Sequence, residues 1–332
     1  MSREILEADG TKKPPERRFG CLFYATCFLL VFGLGLSLFF RQWRSSASKE
    51  LKDEMDRIRA RDEPVWFSEL APGLVDPEDD ATPLFLSALG KFKKPSPAFY
   101  ALVAPEPPAP PTPPGKYAEF ESVLAENRPA LEQLGRAVRR PYFRLPIDYR
   151  TKQPFSILLE PVQQARELSQ LLAADALQSI GTGDNDRAVA AVLDGLGLAE
   201  LLRDEPFMIT RLVQIAIAAQ AIKSLETVVS HVELTPEQFV ALDDQLALME
   251  SRFRLAPSVR GERAMLLTSM NSLGDNAADM DQLIGGGMPI ARILSSSGLS
   301  PLRMRDAAFM LRLMTGIAEA VDGDDLARDA TV

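Results

Sequence analysis

The apolar positions of this chain form one long continuous run, followed by shorter groups with helical spacing. The long run, Cys21–Phe40, contains no charged residue. At 1.5 Å per helical residue it extends about 30 Å, which matches the hydrocarbon core of a bilayer. Lys and Arg lie on both sides of the run and Trp43 follows it, as is typical of membrane-spanning helices. The pattern predicts a transmembrane helix over residues 21–40.

A cleaved signal peptide is the alternative interpretation of the same run. Its apolar region would be shorter, and a small-residue cleavage site would follow directly. Here Arg41–Arg44 intervenes before Ser45–Ala47, which favours a retained anchor. The numbers of Lys and Arg on the two sides of the run are nearly equal, so they give little information on orientation. We predict the orientation instead from the tendency of long domains to cross the membrane regardless of their charge. We therefore expect a cytoplasmic N-terminus and a large domain on the extracytoplasmic side.

The segments next to the run are polar or irregular. Residues 1–20 form a polar tail, and residues 41–62 are expected to form a juxtamembrane helix that is either a stalk or a dimerising helix. Residues 63–115 are irregular, with a short helix expected at about 82–91. This segment ends in a proline-rich run, 104–115, which is either an exposed loop or a ligand for an aromatic groove. Apolar residues before the run predict that 64–103 pack on the main domain.

The main domain, residues 116–322, has apolar positions at helical spacing and no alternating strand pattern. Arg128-Pro129 is predicted to open a helix, because proline is favoured in the first turn. Thr235–Gln238 reads as a capping box at the start of another helix. A last helix is expected from Pro301 to about Val321, followed by an acidic tail over 323–332. The fold class is predicted to be all-α: a transmembrane helix followed by a soluble domain of stacked antiparallel helical hairpins.

One predicted helix, Phe207–Val232, is apolar nearly all round its middle. A helix of that kind is normally buried on most sides. It is short for a membrane span and is interrupted by Gln214 and Gln220. We therefore expect it to be the central core helix.

Charge and cysteine content narrow the function classes. The chain of 332 residues has a net charge of −9. Residues 1–44 carry seven Lys/Arg against four Asp/Glu, so the rest of the chain carries −12. An acidic domain with no basic stripe argues against nucleic-acid binding. Both cysteines, Cys21 and Cys27, lie in the apolar run, which excludes disulfides and thiolate metal sites in the soluble part.

The residues that could carry chemistry are few. His231 is the one histidine, and its position near a helix end favours a surface or capping role. The sequence has no nucleophile elbow, zinc-protease motif or phosphate-binding loop motif. Two acidic stretches lack the remaining ligands of a calcium loop. They are Asp184–Asp186, and the group of Asp275, Asp279 and Asp281. Gly285–Gly287 is expected to be a flexible loop. We expect no cofactor and no metal.

The least ordinary cluster lies within Arg139–Arg150, where arginines alternate with aromatic residues. Arginine and tyrosine are the residues that most often anchor interfaces. The alternative is a loop whose aromatic rings fill the core while its arginines pair with acids. The candidate interaction cluster consists of Arg140, Tyr142, Arg144, Asp148 and Tyr149.

Several stretches resemble a group of membrane-anchored helical proteins of planctomycete bacteria that has no assigned activity. The resemblance implies the anchored architecture and a domain outside the inner membrane, and it covers roughly residues 60–255. The matching stretches are Asp62–Phe67, Asp80–Leu86, Glu126–Leu131, Arg140–Tyr149, Arg203–Pro206 and Leu234–Gln238.

A second resemblance is local. Gly183–Ala188, followed by Gly195, Leu196 and Leu198, is similar to the turn and second helix of a tetratricopeptide repeat. No sustained period of about 34 residues accompanies it. The resemblance implies one helical hairpin of that kind.

These observations favour a membrane-anchored helical interaction or scaffold protein that contacts the membrane through Cys21–Phe40 and binds a protein or a cell-envelope component. The alternative is a carboxylate-dependent enzyme, perhaps a hydrolase, with a pocket between helices, since Asp and Glu alone can perform acid–base chemistry. A third possibility is a structural spacer. The absence of a catalytic motif favours a non-enzymatic role.

Overall fold

The structure, a computed structural model, describes residues 19–103, 114–157, 159–272 and 300–329. Within these ranges the chain is all-α, as predicted, and contains no β-strand. Three predicted segments lie outside the described residues. They are the tail before residue 19, most of the proline-rich run, and the loop around 275–299 with its acids and Gly285–Gly287. The helices are α1 (Phe19–Arg59), α2 (Thr82–Lys91), α3 (Pro97–Val103), α4 (Pro114–Ala137), α5 (Glu160–Thr182), α6 (Asn185–Leu201), α7 (Met208–His231), α8 (Pro236–Arg252), α9 (Ala256–Ser272) and α10 (Ser300–Asp329), with 3-10 helices at Phe67–Leu70 and Pro154–Ser156.

Helix α1 unites the predicted transmembrane and juxtamembrane segments in one helix of 41 residues. The expected boundary at residue 41 is not a break, because Arg41–Lys49 contains neither proline nor glycine to interrupt the hydrogen-bond ladder. From Phe23 to Phe40 every side chain is exposed except the half-buried Cys27. Ala47 and Ile58, further along, are buried. One half of α1 therefore lacks cover from the described chain, and the other half belongs to the domain.

Within the part of the chain that the structure describes, two helices, α1 and α7, are long and apolar enough to cross a membrane. They differ in their surroundings. The most apolar window of α1 has no buried residue, whereas 28% of the corresponding window of α7 is buried inside the domain.

The domain half of α1 packs mainly on α10, which in turn packs on α9. Its apolar seam, Leu51, Met55 and Ile58, belongs to one cluster with Leu267 of α9 and Leu311 of α10. The seam is thus covered by the chain's own helices, so this half of α1 is neither a free stalk nor an open dimerisation surface.

A buried arginine fixes these helices together. Arg263 of α9 is 1% exposed, and its guanidinium lies 2.8 Å from the Glu63 carboxylate. It also donates to the Thr315 hydroxyl of α10 at 2.9 Å and to the Pro64 carbonyl at 3.2 Å. Burial lowers the Arg263 pKa, and the Glu63 carboxylate opposes that shift.

Helix α10 is longer than predicted. The pattern places its end at about Val321 and an acidic tail after it, but the helix continues to Asp329. No proline follows Val321, and Asp322 forms an ion pair with Arg260 of α9. That pairing holds the turn in which the helix was expected to end.

Residues 64–103 pack on the main domain, as predicted, and the short helix α2 lies where the sequence places it. Phe67, Phe85 and Phe99 are fully buried. The Asn127 side chain of α4 accepts from the Lys93 N–H at 2.8 Å and donates to the Lys93 carbonyl at 3.0 Å. These contacts fix the segment to α4.

The prediction that Pro129 opens a new helix is wrong, because α4 continues through it. Proline inside a helix removes one backbone hydrogen bond. The Asn127 side chain donates to the Val123 carbonyl at 2.9 Å while it holds Lys93, so the turn before the proline stays fixed to its neighbour. Tertiary contacts here outweigh the local preference.

Helices α5, α6 and α7 pack on one another and form the centre of the domain. Gly183 ends α5 in the left-handed conformation with φ of 78°, and the Asp184 side chain caps α6 by accepting from the Arg187 N–H. The predicted capping box of Thr235 and Gln238 is present at the start of α8.

The prediction that α7 is buried on most sides is wrong. Five large apolar side chains of α7 are exposed: Ile209, Leu212, Ile215, Ile222 and Val229. The helix buries one face only, because α5, α6 and α9 cover it from one side. The apolar composition of α7 therefore does not show which of its sides are buried.

Gly261 of α9 provides a test of this packing. A Cβ at this position would overlap the Pro206 carbonyl oxygen and lie 2.7 Å from its carbonyl carbon. We expect Gly261→Ala to lower the melting temperature of the full-length protein in detergent, because the backbone before α7 must move. Gly316→Ala is the matched control. Its Cβ meets nothing within 4 Å and alanine favours a helix, so stability should rise slightly. Equal effects of the two variants would contradict this packing.

Candidate functional site

The segment Arg139–Arg150 runs from the end of α4 towards the second 3-10 helix. The Ala81 N–H donates to the Tyr142 carbonyl at 2.7 Å, and the Tyr142 N–H donates to the Asp79 carbonyl at 3.2 Å. The Thr82 hydroxyl donates to the Arg144 carbonyl and accepts from the Arg144 N–H. Backbone contacts thus hold this segment extended against the start of α2.

The five residues of the predicted interaction cluster are divided between the surface and the interior. Tyr149 is buried, Arg140 and Arg144 are half-buried, and Tyr142 and Asp148 are exposed. The Tyr149 ring stacks on Phe67 with centroids 5.2 Å apart, and Arg144 donates to the Asp204 carbonyl. Asp148 accepts from the Arg150 N–H at 2.9 Å and closes a turn. The cluster is therefore not one exposed patch, and its role in an interface stays a prediction.

Under this segment lies a fully buried carboxylate, Glu205, in the link between α6 and α7. One oxygen accepts from the Leu145 N–H at 2.7 Å, and the other has no hydrogen-bond partner. Burial raises the Glu205 pKa to about 7, although the Leu145 N–H and the Arg144 guanidinium lower it. Burial and the Glu205 charge also raise the pKa of Tyr149, whose hydroxyl is likewise unpartnered.

Two further buried acids, Asp175 and Asp194, lie between α5 and α6, and both form ion pairs with arginines. Arg187 pairs with Asp175, and Arg128 reaches the same carboxylate at 3.4 Å. Arg139 lies 3.7 Å from Asp194. Burial raises the Asp194 pKa against the opposing effect of the Arg139 and Arg187 charges. These acids are paired within the domain, and Arg139 is the arginine of the Arg139–Arg150 segment that takes part.

An open cleft lies beside the link, between the second 3-10 helix and the starts of α7 and α9. It holds about 450 Å³ of empty space, part of it open to solvent. One carboxylate, Glu262, is in its wall and accepts from the Met208 N–H at 3.0 Å. Burial raises the Glu262 pKa, and that hydrogen bond opposes the shift. The lining residues are Pro154, Phe155, Ile157, Leu159, Phe207, Ile209, Glu262 and Met265.

The cleft continues into an exposed apolar stripe on α7, because Ile209 belongs to both. We define the α7 apolar face as Ile209, Leu212, Ile215, Ala216, Ala219 and Ile222, all of them exposed. No charged side chain is exposed on α7 over this length, until Lys223. A contiguous exposed apolar patch of this kind is typical of interaction surfaces.

The inner side of α7 is unusually polar. Thr210, Arg211, Gln214 and Ser224 are buried. Arg211 donates to the Ser258 hydroxyl at 3.3 Å and to Gln214, and its guanidinium lies 5.5 Å from the Phe253 ring centroid. Between Ile209 and Ile222 the helix therefore buries polar side chains together with Ile217 and Ala221, while its outward side is apolar. An outward side without charge is the reverse of a surface helix of a free-standing domain.

The remaining candidate residues have local roles. His231 is exposed, and its Nδ1 lies 2.8 Å from the Thr227 carbonyl one turn before it. Asp184 caps α6, and Asp186 accepts from the Gln238 side chain at 2.8 Å. Among the residues that the structure describes, no group of three or more His, Cys, Asp or Glu could hold a metal ion.

Comparison of the chain with protein-family models, curated proteins and solved structures gives no match. The resemblances to planctomycete anchored proteins and to a tetratricopeptide hairpin therefore stay predictions.

Sequence reasoning missed the buried Glu205 and the α7 apolar face. Glu205 meets Leu145 across 60 residues of chain, which no local pattern reports. For α7 a signal exists in retrospect. Its polar positions Arg211, Gln214 and Ser224 recur at about helical spacing and mark the buried side.

Glu205 makes a testable contribution to pH-dependent stability. Its folded pKa of about 7 lies above the ordinary 4.5, so its stabilising effect is complete below pH 4.5 and is lost as pH rises through 7. Each pKa unit corresponds to about 1.4 kcal/mol, so ionisation costs up to about 3 kcal/mol at pH 8. We expect Glu205→Gln to be more stable than the native protein at pH 8, by an amount that vanishes near pH 5.

Urea unfolding of the full-length protein at pH 5 and pH 8 measures this difference. The control is Glu233→Gln at an exposed position, which should change stability little at either pH. A Glu205→Gln variant that is less stable at pH 8 would show that the carboxylate is stabilising when ionised.

Proposed function

We propose that this protein is a single-pass membrane protein of the inner membrane, anchored by α1, whose extracytoplasmic helical domain binds the amphipathic helix of another protein. The observation that carries the proposal is the continuous apolar surface formed by the cleft and the α7 apolar face. The exposed apolar half of α1, flanked by Arg41, Trp43 and Arg44, supports the anchor.

The partner's chemistry follows from the shape and charge of this surface. Ile209 to Ile222 extends about 20 Å along α7 at 1.5 Å per residue, the length of a four-turn helix. A helix laid along it can place one apolar side chain in the cleft. Glu262 in the cleft wall and the −12 charge of the chain beyond residue 44 favour basic residues at the edges of the partner's apolar face.

The membrane itself is an unsuitable partner for the α7 apolar face. Met208 and Arg211 at the start of α7 contact Glu262 and Ser258 in the first half of α9. Arg260 of the same turn pairs with Glu63, which follows the end of α1. Arg59 at that end is about 28 Å along the helix from Phe40. The start of the face is therefore far from the bilayer that would hold α1.

We further propose that the domain is a stack of antiparallel helical hairpins. The packing of α5 on α6 across the Gly183 turn, and of α6 on α7 and α8, supports this arrangement. Stacked helical hairpins commonly present extended binding surfaces.

The carboxylate-enzyme alternative has weaker support. The cleft wall contains one carboxylate, Glu262, and its oxygen is already bonded to the Met208 N–H. Glu205 has no exposure, and Asp175 and Asp194 are paired with arginines. Acid–base catalysis requires a carboxyl group within reach of a substrate.

Orientation is tested with reporter fusions to the C-terminus of the full-length protein. A reporter that is active only outside the cytoplasm should be active, and a reporter that is active only in the cytoplasm should be silent. The fusions must fractionate with membranes, and a variant lacking residues 19–44 should not. The opposite reporter pattern would overturn the proposed orientation without affecting the anchor.

The α7 apolar face is tested by photo-crosslinking in cells, with a photoreactive residue at Ala216 or Ala219 of the full-length protein. We expect an adduct with a second protein, mapped by mass spectrometry to an amphipathic helix with basic edges. Leu212→Glu should abolish the adduct without lowering the melting temperature, because Leu212 is 55% exposed. Leu74→Glu, at a fully exposed leucine elsewhere, should leave the adduct intact.

Three outcomes would contradict this proposal. They are no adduct from either site, an adduct that survives Leu212→Glu, and an adduct of twice the chain's mass. The last would identify a second copy as the occupant of the α7 apolar face.

A further inference from the structure

We propose that the first turns of α10 bind the lipid headgroup layer, so that the helical domain sits directly on the membrane surface. The contact surface consists of Leu302 and Arg305 of α10 together with Arg41, Arg44 and Lys49 of α1. The occupant is an anionic bilayer surface. This inference rests on the anchor in the proposed function and is independent of the α7 apolar face.

Ion pairs set the direction of α10 relative to α1. Arg305 lies 3.9 Å from Glu50, and Arg312 lies 2.9 Å from Glu50 and 3.3 Å from Glu54. About two turns further along α10, Glu319 pairs with Arg61, just beyond the end of α1. Residue numbers rise together in the two helices, so α10 runs parallel to α1 and starts at its membrane end.

This register places the start of α10 close to the lipid. Glu50 is ten residues beyond Phe40, about 15 Å along the helix. Leu302 precedes Arg305 by three residues and so lies about 10 Å from the level of Phe40. Headgroups extend roughly 5–8 Å beyond the hydrocarbon core on each side, so the Leu302 backbone lies just outside that layer. Side chains of a helix lean towards its N-terminus, so Leu302 leans towards the bilayer.

The domain has no slack that would let it move away from the membrane. Ala47 of α1 is fully buried only seven residues beyond Phe40, and the helix between them is unbroken. The buried seam of Leu51, Met55 and Ile58 continues the contact with α9 and α10. Lifting α10 from the surface would require opening this cluster.

The chemistry of the edge matches an anionic headgroup layer. Leu302 is 43% exposed, and Arg41, Arg44, Lys49 and Arg305 are exposed within about 15 Å of the level of Phe40 along the helices. Of the nearby acids, Glu50 is engaged by Arg305 and Arg312, while Asp53 and Asp306 are exposed. Cations are thus concentrated at this end of a chain whose net charge is −9. Basic residues next to a membrane helix are attracted to anionic lipids.

The test measures the depth of single fluorescent labels on the full-length protein in vesicles that contain phosphatidylglycerol. Cys21→Ser and Cys27→Ser give a background for the variants Leu302→Cys, Ile317→Cys and Arg44→Cys. Lipids with a nitroxide on the headgroup should quench the labels at 302 and 44. The label at 317 is the matched control, since Ile317 is 42% exposed on the same helix but about 22 Å further along it. Quenching there should be at least threefold weaker.

A charge variant tests the electrostatic part. Lys49→Glu with Arg305→Gln should reduce quenching at 302 at least twofold, and vesicles of phosphatidylcholine alone should do the same. Quenching at 302 that changes in neither case would overturn the assignment to anionic headgroups.

The label at Arg44 separates the two proposals. If labels at 44 and 302 are quenched and 317 is not, the seating of the domain is supported. If 44 is quenched and 302 is not, the anchor stands and the seating is wrong. If 44 is not quenched, the anchor itself fails. Shielding of both 302 and 317 from aqueous iodide, without quenching by lipid, would assign this side of α10 to a second copy and overturn the inference.

Discussion

The arrangement of the domain on α1 depends on one buried charge, the guanidinium of Arg263. A buried arginine is costly unless its donors find partners. Here Glu63, Thr315 and Pro64 supply partners to the two terminal nitrogens from the link after α1 and from α10, while the buried Nε has no partner among the described residues. These partners can meet the guanidinium only if α1, α9 and α10 keep their mutual register. The apolar cluster around Ile58 and Leu311 adds packing energy, and the charge adds a specific alignment.

The sequence predicts what is local. The all-α class, helix α2, the glycine end of α5 and the capping box of α8 each follow from neighbouring residues. Errors arise where distant contacts decide. Pro129 stays inside α4 because Asn127 is bound to Lys93, 34 residues away. Helix α10 outlasts its predicted end because Asp322 meets Arg260 across 62 residues. Neither partner is visible in a window of one or two turns.

Helix α7 shows why apolar content does not locate the core. A helix that is apolar nearly all round fits burial on every side, and it equally fits a helix that awaits a partner. The inward Arg211 and Gln214 resolve the ambiguity, because buried polar groups need fixed hydrogen-bond partners and therefore choose the side that faces the domain. Sequence analysis misses the candidate site for the same reason. Hydropathy describes the composition of a surface but does not show which other parts of the structure contact it.

The uncovered apolar surfaces of α1 and α7 differ in shape. The surface of α1 surrounds the helix from Phe23 to Phe40, a shape that supports the proposed membrane anchor, because lipid is apolar on every side of a helix. The α7 apolar face covers one side of its helix, and the opposite side carries a buried guanidinium that α9 holds in place. A helix with such an inner side cannot leave the domain for the bilayer without stranding that charge. A helix that is apolar on its exposed side suits a partner that also has a single apolar side, as an amphipathic helix does. In the proposed arrangement the start of the face lies far along the domain from Phe40, so the proposed partner helix belongs to a protein that extends well beyond the headgroups.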